Sequence, residues 1–438
     1  MGPEVVFYSL AMLFIFVILG IHIGISLGIA SVIGVYLSYG DLSIALSVLG
    51  STAYDSIRSN TLAVIPLFML MGEIISRSGA ANDLYLTCDK ALKRLPGRLA
   101  AATVIGNAAF AAVSGVSIAA AATFSRIAYP EMRKAGYDKS YALGVITGCG
   151  CLGMLIPPSI LLIVWAILTE ASVGALFFAG VVPGLLLGLT FILYCVFMAI
   201  RNPSIAPIID SKLSFDNQSS KDSGIVSAIG IFSLIVLVLG GIWLGVFTPT
   251  EAAGFGVLGS IILGFIKGMR FQAFKEAIFN AGRSTAPIMF LLIAGSMYAK
   301  LLAVSGGINM LQTLFLDTGL SVLMVIIIMT VIWLLLGALV DSISIILLTV
   351  PIFVPIAATA GINEIVFAIY GILVIEAGLL TPPMGLLVFT VKASVPDPDV
   401  TLSDIFKGSI PYWLMILLIA SLIMLFPNLS LWLPNLLL

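Results

Sequence analysis

Residues 147–159 read TGCGCLGMLIPPS, and residues 375–385 read IEAGLLTPPMG. Each stretch lies inside a long apolar run, 142–168 in one case and 365–391 in the other. A proline lacks the N–H that would bond the carbonyl four residues earlier in a helix. Pro157 and Pro158 therefore release the carbonyls of Gly153 and Met154, and Pro382 and Pro383 release those of Gly378 and Leu379. The reading predicts two helices, each broken partway along its run.

The solvent around these runs is lipid. Of 438 residues, 61% are hydrophobic and 9% charged, against roughly 25% charged in a soluble domain. Further apolar runs fall near 5–20, 23–39, 61–77, 174–200, 224–247, 250–266, 284–304 and 409–427. Each is long enough to cross a hydrocarbon layer of about 30 Å as a helix, and too long and continuous for barrel strands. The fold class expected is an all-α polytopic membrane protein. The N-terminus lacks a basic region and a small-residue cleavage site, so 5–20 is expected to stay as a helix. Cys88, Cys149, Cys151 and Cys195 have no zinc or CxxC spacing and are expected to be reduced, buried thiols. His22 alone supplies little for metal or acid-base chemistry. No GxxxxGK[ST], HExxH or GxSxG occurs, which argues against P-loop ATP hydrolysis and an intramembrane hydrolase. The net charge of −1 gives no field directed at nucleic acid.

The chain reads as a duplication. FAGVVP at 178–183 matches FKGSIP at 406–411, an offset of 228, and IPPS at 156–159 matches TPPM at 381–384, an offset of 225. Pro66 with Gly72 pairs with Pro287 and Gly295, and the segment near Gly28 with that near Gly254. These matches in order divide the chain into 1–200 and 224–438, joined by a polar linker at 201–223.

Basic residues orient the halves. Loops 77–98 and 126–139 are both rich in Lys and Arg, yet only 99–125 lies between them. The charge rule asks that 99–125 enter from the cytoplasm and return to it, as a re-entrant hairpin with its tip near AVSGVS at 112–117. The corresponding loops of the second half, 307–319 and 358–364, carry no Lys or Arg, so hairpin 320–357 should enter from the other side, its tip near GALVDS at 337–342. Along that path every basic residue except Arg58 and Lys300 falls inside. The expected architecture is two inverted-topology repeats with both termini outside. Such repeats with broken helices are a transporter design; a channel or scaffold built by duplication is the plainer alternative.

An unpaired carbonyl in lipid costs several kcal/mol unless something binds it, and a dehydrated Na⁺ is one such partner. Two sodium sites are predicted. The first joins Ser114 and Ser117 to Gly153, Ile156 and Pro158. The second joins Gly337 to Gly378, Thr381 and Met384, through backbone oxygens and the threonine hydroxyl. The plainer alternative is a pair of proline kinks satisfied by neighbouring helices. An anionic substrate would sit at the tips, among Ser114, Ser117, Asp341 and Ser342, with Lys300 as its counter-charge. Snorkelling to the interface is the other reading of Lys300. Glu73 and Glu376 are expected to hold helices together by accepting hydrogen bonds. The polar-apolar segments 42–60 and 267–283 suit amphipathic helices along opposite membrane faces, and equally ordinary connecting helices.

SGVS at 114–117, MRKAGYDKSYA at 132–142, GMLIPPS at 153–159, FAGVVPG at 178–184, FTPTEAA at 247–253 and EAGLLTPPMG at 376–385 carry a resemblance over nearly the whole chain. It resembles the large membrane subunit of tripartite ATP-independent periplasmic (TRAP) transporters. The resemblance implies an elevator mechanism, in which a transport domain with both hairpins slides against a scaffold. It implies sodium-coupled uptake of a carboxylate or sulfonate across the inner (cytoplasmic) membrane of a bacterium or archaeon, and no enzymatic activity. It implies two partners, a small four-helix membrane subunit, expected here as a separate polypeptide, and a periplasmic substrate-binding protein. The family's sodium sites look similar to the two above, and a backbone role suits Met384, where the family varies. A stand-alone sodium–carboxylate symporter and an ion channel are the competing readings.

Overall fold

The computed structural model describes residues 3–207, 221–317 and 319–437, so most of the linker 201–223 lies outside the described residues. Among them every regular element is helical, as lipid requires of a chain that must satisfy its backbone internally. Six helices are long and apolar enough to cross a membrane: Val173–Arg201, Gly224–Trp243, Pro249–Ile266, Phe271–Val304, Ser342–Thr359 and Leu402–Leu425. Their outward faces are apolar at helical spacing, as in Leu185, Leu189 and Leu193, or Ile225, Ile229 and Phe232, all exposed. Helix starts follow from sequence. Thr248 and Thr401 close capping boxes with Glu251 and Asp404, and Ser172 caps Val173–Arg201.

Two helices meet at a tight turn within 98–134. Helices Arg98–Ser114 and Ser117–Lys134 are joined by Gly115 and Val116. Their arms run antiparallel: Phe110 meets Phe124 at 6.1 Å between ring centroids, and Thr103 reaches Met132. The second such pair, Val322–Gly337 with Ser342–Thr359, is pinned by Trp333 Nε1 donating to Thr349 at 2.8 Å. Both broken helices also appear. Lys139–Gly150 passes through a short 3₁₀ turn and the Pro157–Pro158 bend into Ile160–Thr169, and Glu364–Gly378 turns through Pro382–Pro383 into Leu386–Ser394. Hairpin, broken helix and long helix therefore occur in the same order in each half.

The halves interlock. Ser342–Thr359, the second arm of the second hairpin, packs on Ile160–Thr169 of the first broken helix; Ser117–Lys134 packs on Leu386–Ser394. Trp165, Trp333 and Phe367 meet at centroid distances of 5.4–6.4 Å between them. Lys139–Gly150 and Leu402–Leu425 approach until backbones touch, Gly144 against the carbonyl of Gly408 and Gly408 against that of Ser140. Membrane helix pairs use small residues in this way because close approach supplies their attraction.

One expectation fails. Segment 267–283 is no separate surface helix: Phe271–Val304 is continuous over 34 residues, with Pro287 inside it. A lone Pro287 removes one N–H and leaves the helix continuous, as Pro183 and Pro351 do in theirs. Its counterpart Leu42–Arg58 does end separately, because Ser59 is extended (φ −64°, ψ 124°).

Candidate functional site

Each tip is built on the chain's need to reverse in almost no space. Gly115 ends its helix in the left-handed region at φ 63°, which favours glycine. A side chain there would also lie 2.7 Å from the carbonyl oxygen of Pro158. The Gly115 carbonyl accepts from Ile160 N at 3.3 Å. The second tip makes the corresponding bond, with Gly385 N donating to the Ala338 carbonyl at 3.3 Å. In each half, then, the residue just past the broken turn is stitched to its hairpin.

The residues predicted for the first ion site come together in part. Gly153 abuts Ser117, whose backbone N lies 3.2 Å from where a Cβ on Gly153 would be. Pro158 faces Gly115. The Ser114 hydroxyl is buried and has no hydrogen-bond partner among the described residues, and the buried Ser117 hydroxyl lies toward Glu376. The side chain of Ile156 packs on Gly184 instead. At the second site Gly337 and Gly378 meet backbone to backbone, a Cβ on Gly337 falling 2.5 Å from Gly378 Cα. Thr381 donates to Ala377 O at 3.1 Å and accepts from Trp413 Nε1 at 3.0 Å. The Gly378 carbonyl accepts from Thr381 N at 2.9 Å, so its bond is partly replaced. Met384 is 51% exposed.

Glu376 joins the two tips. Its carboxylate is buried and one oxygen accepts from Ser342 Oγ at 2.9 Å, while the Ser117 side chain of the other hairpin faces it. Its backbone carbonyl accepts from Cys151 Sγ at 3.7 Å. The helix-joining role expected of Glu376 is the one it has. Glu73 pairs with Arg77 at 3.4 Å, and Arg77 continues to Glu276 at 2.6 Å. All four cysteines are free, and Cys149, Cys151 and Cys195 are buried.

A cavity of about 570 Å³ lies against both tips. Ser114 and Ser117 line it from one hairpin, Asp341 and Ser342 from the other, and Glu73 and Ser76 from helix Val64–Arg77. Asp341 also caps its helix, accepting from Ser344 N at 3.0 Å and from the Ser344 hydroxyl. Lys300 is not in this cavity. It lines a second one of about 1260 Å³, with Asp55, Glu170 and Glu251. The first cavity instead holds Arg126, which the sequence places among loop charges because it opens a basic stretch. Trp413 was equally hidden, since nothing in its local sequence points at Thr381.

A family model described as "Tripartite ATP-independent periplasmic transporter, DctM component" matches residues 10–429. The chain is 34% identical over 415 residues to the C4-dicarboxylate TRAP transporter large permease protein DctM of Pseudomonas aeruginosa, covering 94% of each. It is 30% identical over 425 residues to the ectoine TRAP transporter large permease protein TeaC of Halomonas elongata, covering 96% of each. Among solved structures, the YdaH transporter of Alcanivorax borkumensis aligns with a TM-score of 0.60 at 16% identity, over 89% of this chain and 88% of that one. That likeness is one of fold.

Proposed function

This chain belongs to the DctM family of tripartite ATP-independent periplasmic transporters, and on that premise we propose that it carries a small organic anion inward across the cytoplasmic membrane, driven by sodium. The cargo, a carboxylate or sulfonate, arrives on a periplasmic substrate-binding protein, and a small four-helix membrane subunit completes the assembly. The observation that carries the proposal is a cavity lined by both hairpin tips together with Met154 of the first interrupted helix. A channel needs no paired, interlocked tips, whereas a carrier must close on its cargo from two sides.

In this reading the halves have inverted topology, and the hairpins with the broken helices form the moving body of an elevator. Support comes from the opposite charge rules of the two halves and from the contacts that bind each hairpin to the other half. The cavity at the tips adjoins Ser76, Arg126 and Ser284, which lie toward the basic loops, so the cargo site opens to the cytoplasm. The larger cavity around Lys300 opens outward. Sodium would be held by Ser114, Ser117, Gly153, Ile156 and Pro158 at one site. Gly337, Gly378, Thr381 and Met384 would hold it at the other. The buried Ser114 hydroxyl, without a partner among the described residues, and the buried Ser117 hydroxyl beside the Glu376 carboxylate fit an oxygen-seeking cation.

Uptake into proteoliposomes tests the proposal. With the small subunit and loaded binding protein present, an inward sodium gradient should drive saturable accumulation. Unchanged uptake in sodium-free medium under a proton gradient would remove sodium. Full uptake without the binding protein would make the chain a stand-alone symporter.

A further inference from the structure

The cavity at the hairpin tips is lined by three charged side chains, Glu73, Arg126 and Asp341. Glu73 is paired with Arg77. Both Asp341 oxygens accept hydrogen bonds from Ser344. Arg126 is exposed, and among the described residues it has no ion-pair partner. Ser344 is neutral and leaves the Asp341 charge in place, so the cavity carries a carboxylate at the tips and Arg126 as its one cationic lining residue.

Its place on the helix gives that charge a path. Ala119, Ala122, Thr123 and Arg126 line the cavity from one face of Ser117–Lys134, as residues three and four apart do. The first three are small and leave room beside the helix. Arg126 stands nine residues beyond Ser117, about 13 Å along the axis at 1.5 Å per residue. An oxyanion leaving the tips along this open track meets the guanidinium next. Arg presents a planar fork of donors that matches a carboxylate or sulfonate in two bonds, which the point charge of Lys does not.

We infer that Arg126, and not Lys300, is the anion-selecting residue of the cytoplasmic cavity, binding the acidic group of the cargo as it leaves the hairpin tips. The inference rests on the reading of the cargo as an anion and adds the residue that chooses it.

The test uses Thr123→Cys as a reporter in a Cys88→Ser background, in inside-out vesicles. Labelling rates are compared for a sulfonate-bearing and a trimethylammonium-bearing methanethiosulfonate reagent. Replacing Arg126 by Gln should lower the anionic-to-cationic rate ratio at least fivefold, and Arg126→Lys should keep it. In proteoliposomes holding the whole assembly, uptake of succinate and of isethionate is then measured. For whichever probe is transported, Arg126→Gln should raise about tenfold the internal probe concentration that half-inhibits uptake, with uptake into empty vesicles within twofold, and Arg126→Lys should recover only part of that loss. An unchanged ratio, or an unchanged half-inhibiting concentration with a lowered ratio, overturns the inference. If the unsubstituted protein takes up neither probe, the cargo reading fails for these anions, and the rate ratio still decides whether Arg126 favours anions beside Thr123.

Discussion

At the scale of single residues, the tips are held by groups with no substitute. Gly115 is the sharpest case. Its left-handed backbone costs an L side chain roughly 1–2 kcal/mol, and the Pro158 oxygen occupies the space a Cβ would take. Gly115→Ala should therefore lower the thermal midpoint of the purified protein and cut uptake at least tenfold, whereas Gly79→Ala, left-handed but with open space around it, should lower only the midpoint. Ser342 supplies the hydrogen bond received by one oxygen of the buried Glu376 carboxylate. Removing it strands a buried acceptor, worth about 1–3 kcal/mol, so Ser342→Ala should be less heat-stable, and adding Glu376→Ala to it should cost less than the two single losses summed. Gly115, the proline pairs and the tip serines were legible in sequence, because their backbone chemistry is peculiar to them. Arg126 was not. An arginine reads the same whether it ends in bulk water or at the mouth of a cavity, and only the neighbouring helix Val64–Arg77 decides which.

At the scale of elements, interruptions were easier to read than continuations. Two helices that break at Pro–Pro announce themselves. The 34-residue helix Phe271–Val304 does not, since its first turns are polar and its later ones apolar, which is also the pattern of a surface helix followed by a span. The distinction lies in number: a lone proline, as at Pro287, Pro183 or Pro351, is carried inside a helix, whereas an adjacent pair breaks one. The tightest joint between elements is Lys139–Gly150 against Leu402–Leu425, where Gly408 meets the Ser140 carbonyl and Gly148 meets Tyr412. No flexible side chain can yield between Gly408 and that carbonyl. Gly408→Ala should push the helices apart and reduce the yield of folded protein on size-exclusion chromatography, more than Gly254→Ala, which has open space around it.

For the whole molecule, the class was plain from composition, and the order of elements followed from the repeat. How the halves grip one another was not, because contacts between residues some 200 apart leave no local trace in the chain. The orientation of the halves rests on where Lys and Arg fall. Tags or accessible cysteines in 78–98 and in 126–140 should both report the cytoplasm, and a cysteine at Ser296, in the large cavity with Lys300, should report the opposite side. Finding 78–98 and 126–140 in different compartments would turn the first hairpin into an ordinary crossing and undo the inverted arrangement. The exchanged arms have a consequence for how the protein is made. When the ribosome has completed the first half, Ile160–Thr169 and Ser117–Lys134 still lack the helices that will cover them. At 5–20 residues per second the wait is on the order of 10–40 s. Through that interval the nascent chain must keep two unfinished surfaces from strangers, so insertion machinery or lipid has to shield them until the second half is delivered.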